Sequence, residues 1–493
     1  MRIDETLLDD ATDRRPRLLP WLTVLFVGAA ALGLYFVIAP ALSPGAYYRS
    51  VLNRLSYGYN RQILLLFIPY GLALWAWWRG ARASSKVLLG GAIALHLLVL
   101  FAPLPQSQDF YQYLFYGRMQ AEFGANPYAV HPSSGFLWQD SWYGMIRWPN
   151  QTSVYGPVWT MISFGVAKAA GDSLTLGIVF MKLVIFAMDL AVMACLMILA
   201  KDRPDPEGAA GWGLLVYAWN PLIWITVPLA GLADTAIAAA LIGAVLARRR
   251  GRTWITTLLL TLATLVKVYA GIALLLHLVL LLRERDRRTA WRHALVSLGV
   301  AALSFLPYWA GWQTFRGLLN AVNLSNKSLT GVVQKVIRHL LFWSGANGAA
   351  DDAAAVVRWL VFPLLAATVI WAVRKVEDEH DLWYCTLFVL SMFVLLTPWF
   401  LYWYLVAPLA LAAVLPRNRL TVPLLAFSGT ALVTVSFAPW LASNVVQTTL
   451  RYTPPLAVYR WLPLPERPPR IQRPPRTQFH RASAEAARAT ILF

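Results

Sequence analysis

The sequence predicts an all-α polytopic membrane protein with about thirteen transmembrane helices, and three observations carry that expectation. Of its 493 residues, 58% are hydrophobic and only 14% are charged, and the mean hydropathy is +0.53. Water-soluble domains rarely combine these values. Apolar runs of roughly fifteen to twenty-five residues recur from Leu18 to Trp440, each able as a helix to span a hydrocarbon core of roughly 30 Å. Their period is helical, without the alternation of barrel strands. The 23 Trp and 20 Tyr residues gather at the ends of these runs, where amphipathic rings anchor helices at the interface.

The elements follow in order. Residues 1–17 form a polar segment placed in the cytoplasm, and the first apolar run is too long for a signal-peptide core. Spans are expected near 18–39, 62–79 and 87–103, which puts the next segment outside. That segment, 104–153, carries only Arg118 and Arg147 as basic residues, whereas Arg79, Arg82 and Lys86 precede it on the inner side. Parity then shapes the middle of the chain. A full crossing at 157–170 would expel the Arg248–Arg252 cluster, so this stretch is expected as an interfacial or partly inserted helix, with a span at 174–200. Spans at 209–229 and 232–247 follow. The apolar run 253–282 lies between two basic loops and is expected as two short crossings that turn near Lys267. Further spans fall near 290–311, 354–374, 382–398, 400–416 and 420–440. Residues 18–440 thus form one membrane domain with outer loops at about 104–173 and 312–353. A basic, Pro-rich tail follows at 441–493, extended from Arg451 onward.

The net charge of +19 sits mostly in short inner loops. It therefore reports topology and gives no support to a nucleic-acid partner. Cys195 and Cys385 both fall inside expected spans and read as small apolar residues.

Asp109 is a lone carboxylate just after the third span, in Ser107-Gln108-Asp109-Phe110-Tyr111. Read as a helix, 109–122 aligns Asp109, Gln112, Tyr113, Tyr116 and Gln120 on one face, giving an amphipathic juxtamembrane helix along the outer surface. Asp109 is then either a helix N-cap or a base that takes a proton from a substrate hydroxyl, and Asp140 in the same loop is a second candidate. Arg118, four residues before Glu122, is spaced for an ion pair with it. Gly124 suits a helix C-cap and Asn126-Pro127 a turn. Tyr155-Gly156-Pro157 starts a helix whose free N–H groups suit a phosphate; an ordinary interfacial helix start is the alternative.

Three further groups converge on the outer face. Asp234 lies near the outer turn after Asn220-Pro221, and Lys267 sits at the tip of the short hairpin, placed to meet the phosphate of a lipid carrier. An ionisable residue there is costly unless paired, and so marks a site. The aromatic turn Pro398-Trp399-Phe400-Leu401-Tyr402-Trp403-Tyr404 offers either a sugar-stacking wall or interfacial anchoring. Lys182 and Asp189 share a face of one span and read as structural, paired with each other or with neighbours. There is no Gly-rich nucleotide loop, His/Cys metal spacing or Ser-His-Asp pattern. A sugar nucleotide or ATP is therefore not expected as a direct substrate, and no metal or other cofactor is called for.

In order, Asp109-x-x-x-Tyr113-x-x-x-Gly117, Gly124-x-Asn126-Pro127-Tyr128, Tyr155-Gly156-Pro157, Asn220-Pro221-Leu222, Val266-Lys267-Val268 and the 398–404 turn resemble the GT-C membrane glycosyltransferases. The likeness is strongest to mannosyltransferases that use polyprenyl-phosphate mannose, and it covers about residues 87–416. It implies a GT-C-like fold in the bacterial cytoplasmic (inner) membrane with an extracytoplasmic active site. The implied chemistry is inverting transfer of a mannose-like hexose from a polyprenyl-phosphate donor to a glycan or lipid acceptor, with Asp109 as base. No metal is obligatory, although some GT-C enzymes use a divalent ion. Lys267, Tyr155 and Gly156 are then expected at the donor phosphate, with Tyr113, Asn126, Tyr128, Trp159, Asp234, Trp399 and Tyr402 around the sugars. Relatives often carry His-Asn-Asp where this chain has Leu232-Ala233-Asp234, so the acid is kept and two polar neighbours are lost. A lipid-linked-sugar flippase or a glycan-chain ligase are the alternatives; a flippase predicts midplane sites in broken, repeated helices.

Overall fold

A computed structural model describes residues 17–41, 65–100, 102, 108–284, 287–322, 328–415, 418–437 and 444–461. The N-terminal segment before Arg17 and the Pro-Pro-Arg stretches of the tail lie outside the described residues. Helices account for the architecture, and among the described residues there is no strand beyond an isolated bridge between Ala310 and Trp312.

The first half comprises α1 (Leu19–Ala41), α2 (Leu65–Trp78), α3 (Ser85–Leu100), α4 (Gln108–Phe123), α5 (Pro157–Ala170) and α6 (Leu174–Ala200). Next come α7 (Pro206–Val216), α8 (Pro221–Trp224), α9 (Asp234–Arg249), α10 (Thr253–Thr264) and α11 (Gly271–Glu284). The second half adds α12 (Arg287–Phe305), α13 (Arg316–Val322), α14 (Leu329–Trp343) and α15 (Asn347–Lys375). It closes with α16 (Glu379–Leu396), α17 (Val406–Val414), α18 (Thr421–Phe437) and α19 (Asn444–Trp461).

Among the described residues, four stretches are individually long and apolar enough to cross a bilayer: Leu174–Ala200, Arg287–Tyr308, Ala355–Lys375 and Glu379–Leu396. Shorter apolar stretches are Leu19–Leu32, Leu65–Trp78, Ser85–Leu100, Thr253–Thr264, Tyr402–Val414 and Thr421–Leu432, and Pro206–Val216 with Pro221–Leu229 forms a bent pair. The membrane character expected from composition is therefore present, though many segments are not straight full-length spans. The run at 253–282 does divide at 265–270, and 157–170 is a helix separate from 174–200.

Several expectations give way. The span expected at 209–229 is broken, with its two parts meeting at 56°. Pro221 has no N–H for the carbonyl of Tyr217, so the first helix cannot continue through it. The Asn220 carboxamide starts the next helix, accepting from Leu222 N at 3.0 Å and donating to Ser428 Oγ at 3.0 Å. Pro228 sits within a π-helical turn over Ile225–Leu229, where regular bonding is also interrupted.

The segment 109–122 is helical, as expected, but it has no open polar face. Its residues from Phe110 to Met119 are buried throughout, because α4 packs along α5 and carries aromatic side chains on every face. The outer loop expected at 312–353 contains α13, α14 and the first turns of α15.

The tail, expected to be extended from Arg451, is helical to Trp461 and packs on α18. Pro455 leaves the Arg451 carbonyl without its intrahelical donor. Thr430 Oγ1 supplies one at 2.7 Å, and the Tyr452 ring packs 5.2 Å from Phe427. Lys182 and Asp189 do not pair with each other. Lys182 donates to the Leu100 and Ala102 carbonyls at 2.5 and 3.0 Å. Asp189 holds His96 at 2.5 Å and Tyr217 at 2.9 Å.

Candidate active site

The first turn of α4 is brought to the start of α9 by a close backbone approach. Gly231, at φ +68°, faces the Phe110 ring, and a Cβ there would meet Phe110 Cδ2 at 2.5 Å. Only glycine takes that conformation without strain and admits the ring. Asp109 is thereby placed beside the turn that ends in Asp234.

Asp234 is fully buried and doubly bonded. Lys267 Nζ lies 2.6 Å from Oδ2 and the Tyr269 hydroxyl donates to Oδ1 at 2.6 Å. The Tyr269 ring stacks on Phe393 at 4.9 Å. Lys267 in turn stands 5.8 Å from the Tyr155 ring centroid and 5.4 Å from that of Tyr404. Lys267 is thus enclosed by two aromatic rings and a carboxylate, its cation–π and ion-pair partners.

The Tyr155 hydroxyl and the Trp148 indole face Asp109 and favour its charged form. Burial raises its carboxyl pKa above the ordinary range, while the charge of Lys267 opposes that rise and Asp234 adds to it. A carboxylate so held is a stronger base than one in water. Tyr402 and Tyr404 lie within range of the same charge. The Tyr113 ring meets Tyr155 edge-on at 4.6 Å and Trp159 at 5.3 Å. Trp159 Nε1 is buried and has no hydrogen-bond partner among the described residues.

Other expected site residues stand behind this cluster. At the start of α5 two amides are already taken: Gly156 N donates to Val266 O at 2.9 Å and Val158 N to Leu265 O at 3.1 Å. A Cβ on Gly156 would lie 2.0 Å from Leu265 O. The Tyr155-Gly156-Pro157 turn is thus the seat of the segment that carries Lys267. Asn126 makes an Asx turn, accepting from Tyr128 N at 3.0 Å, and donates to Tyr308 O at 2.8 Å. The Tyr128 hydroxyl donates to Tyr155 O at 2.8 Å and lies 2.9 Å from Thr160 Oγ1. Both residues brace Tyr155 from the rear. Trp399 reaches the cluster through Trp148, with ring centroids 6.3 Å apart.

Asp140 is not beside Asp109. Its carboxylate accepts from Arg118 Nε at 3.0 Å, and the same guanidinium bonds Asp172 at 2.7 Å and reaches Glu122 at 3.6 Å. The expected Arg118–Glu122 pair exists, but as the weakest arm of a three-carboxylate anchor.

Trp148, Gln112, Tyr269 and Tyr404 are site residues that sequence reasoning did not single out for a role. Gln112 locks the Trp148 backbone with bonds of 3.1 and 3.3 Å. Tyr269 follows Lys267 by two residues and Tyr404 closes the aromatic turn, so both were adjacent to recognised motifs. Trp148 carries no spacing signal at all, since a loop brings it to Asp109.

A helical membrane chain with a buried acid–cation cluster behind an aromatic-lined carboxylate is of the GT-C glycosyltransferase type. The comparison with known proteins agrees with that class and narrows it. Residues 22–283 match the family model described as alpha-(1->6)-mannopyranosyltransferase, N-terminal domain, and the chain belongs to this mannosyltransferase family. It is 28% identical over 395 residues to alpha-(1->6)-mannopyranosyltransferase A of Mycobacterium tuberculosis, covering 74% of this chain and 73% of that one. It is 26% identical over 324 residues to the protein of the same description from Corynebacterium glutamicum, covering 58% of this chain and 56% of that one.

Proposed function

We propose that the chain transfers mannose from a polyprenyl-phosphate donor to a hydroxyl of a glycan or lipid acceptor, at the outer face of the bacterial inner membrane. One observation supports this reading: Asp109 and Lys267, a carboxylate and a cation, are both gathered around Tyr155. Asp109 takes the acceptor hydroxyl proton as the oxygen attacks the anomeric carbon. The new glycosidic bond forms while the bond from that carbon to the phosphate oxygen breaks. The departing phosphate keeps the electron pair, and its charge develops against Lys267.

Such a single displacement inverts the anomeric centre, so an α-linked product requires a β-configured donor. The relatives' names make an α-(1→6) linkage the first product to look for. Asp234 holds Lys267 in place, and Trp159 Nε1 is a ready donor for a sugar hydroxyl. Proton and leaving-group charge are both handled by side chains of this chain, so the reading calls for no cofactor.

The test is transfer by purified protein from polyprenyl-phosphate mannose to a short mannoside acceptor. Asp109→Asn should lower turnover by roughly 10²–10⁴-fold with donor binding retained. Wild-type turnover in that variant would remove Asp109 from the role of base.

A further inference from the structure

A second site lies at the other end of the bundle. Ile185 of α6 is level with Phe110 at the turn of Gly231, and Leu199 lies about 21 Å further along the same helix. There, between the ends of α2, α6 and α17 and the start of α7, is a cavity of about 360 Å³ lined in part by Trp77, Arg82, Leu199, Arg203, Trp212 and Val414. That volume falls within the range of small-molecule sites. The basic loops at 79–86 and 201–203 border it, so it sits where the membrane helices end on their positively charged side.

Both arginines are fixed by backbone acceptors. Arg82 Nη1 donates to the Trp77 and Ala81 carbonyls, each at 3.0 Å, and its guanidinium lies 4.6 Å over the Trp77 ring. Arg203 Nη2 donates to Val414 O at 2.9 Å. Among the described residues neither has a carboxylate at ion-pair distance. Asp205, the carboxylate in the wall, folds onto its own helix and accepts from Gly208 N at 2.9 Å. Each guanidinium has five N–H donors, so several remain on each after these bonds. Two anchored cations over apolar walls, where apolar helices end, match the chemistry of an anionic lipid.

We propose that this cavity binds the phosphate-bearing headgroup of an anionic glycerophospholipid, with Arg82 and Arg203 as partners of the phosphate and Leu199 and Trp212 against the glycerol and first acyl carbons. The lipid would tie α2 to α6, α7 and α17 from the side opposite Asp109. It is independent of the transfer chemistry.

The experiment is thermal unfolding of the purified full chain in neutral detergent, with dioleoylphosphatidylglycerol, dioleoylphosphatidylcholine or soluble glycerol 3-phosphate added. Phosphatidylglycerol should raise Tm by roughly 5 °C, with no comparable shift from the other two. The double variant Arg82→Gln/Arg203→Gln should lose that shift. Arg82→Lys/Arg203→Lys, which keeps the charge and perturbs folding less, should keep only part of it. Native mass spectrometry of the same samples should show fewer phosphatidylglycerol molecules retained by either variant. Equal shifts from the two lipids, or a full shift in the Gln variant, overturn the proposal. A shift reproduced by glycerol 3-phosphate and lost in the Gln variant assigns the site to a soluble phosphate ester and overturns the lipid assignment.

Discussion

Lys267 Nζ stands 2.6 Å from the Oδ2 of Asp234, whose side chain is wholly buried. Removing one member of such a pair leaves the other charge unsatisfied, at a cost of about 3–5 kcal/mol, whereas replacing both with apolar residues costs much less. Asp234→Asn and Lys267→Met should therefore each lower Tm markedly. Asp234→Leu/Lys267→Met should unfold nearer the wild type while showing no mannosyl transfer. Detergent-solubilised protein in a double-mutant cycle checks this. Additive losses would mean that the two groups do not act as a pair.

The proposed base also makes a pH prediction. Burial raises the Asp109 pKa, and the Tyr155 and Trp148 donors and the Lys267 charge restrain it. Asp109 works only when deprotonated, so activity should fall as pH drops through a value above the ordinary carboxylate range. Tyr155→Phe and Trp148→Phe each remove a donor to the charged form, which raises the pKa further. The acid limb of kcat/KM should move to higher pH in both. An unmoved limb alongside reduced turnover would make them packing residues only.

Gly156 is expected from sequence beside the donor phosphate, but the Gly156 N and Val158 N groups are taken by the Val266 and Leu265 carbonyls. Gly156→Ala should therefore act through packing. Its Cβ would meet Leu265 O at 2.0 Å and push the Lys267 segment away, costing about 1–3 kcal/mol. Tm should fall, and kcat should fall with it. A phosphate-binding role would instead raise the donor KM with Tm unchanged.

Much of this site is legible from sequence because membrane burial makes ionisable residues conspicuous. Asp109, Asp234 and Lys267 stand out for that reason, and basic loops on both sides of 253–282 demand a turn near Lys267. What stays hidden is which partner each group finds. Lys267 and Asp234 are 33 residues apart, and no local spacing joins them. The expectation of an open polar face on α4 gives way for a related reason. Gln112 and Tyr116 look solvent-facing by composition, yet they spend their hydrogen bonds on the Trp148 and Gln151 backbone. A polar residue satisfied by a distant loop packs as an apolar one does. The broken span at Asn220-Pro221 was open to a local reading, since proline alone interrupts the ladder.

Arg118 gives the sharpest test of what holds the loop between α4 and α5 against α4. Its guanidinium bonds Asp140 at 3.0 Å, Asp172 at 2.7 Å and the Gly171 carbonyl at 2.9 Å, and reaches Glu122 at 3.6 Å. The Asp140 side chain is 4% exposed, whereas those of Glu122 and Asp172 are 52% and 90% exposed. Arg118→Met strands a buried carboxylate and should cost about 3 kcal/mol or more. Glu122→Gln and Asp172→Asn remove exposed arms and should cost less than about 1 kcal/mol each. Asp140 also accepts from Trp142 N at 2.8 Å, so its loss disturbs the loop turn as well as the ion pair. Thermal unfolding of the four single variants should rank Arg118→Met and Asp140→Asn well below the other two. Because Trp148 reaches Asp109 from this loop, Arg118→Met should also lower kcat at temperatures where the protein remains folded. Equal stability across all four variants would show that the loop is held by its aromatic packing alone.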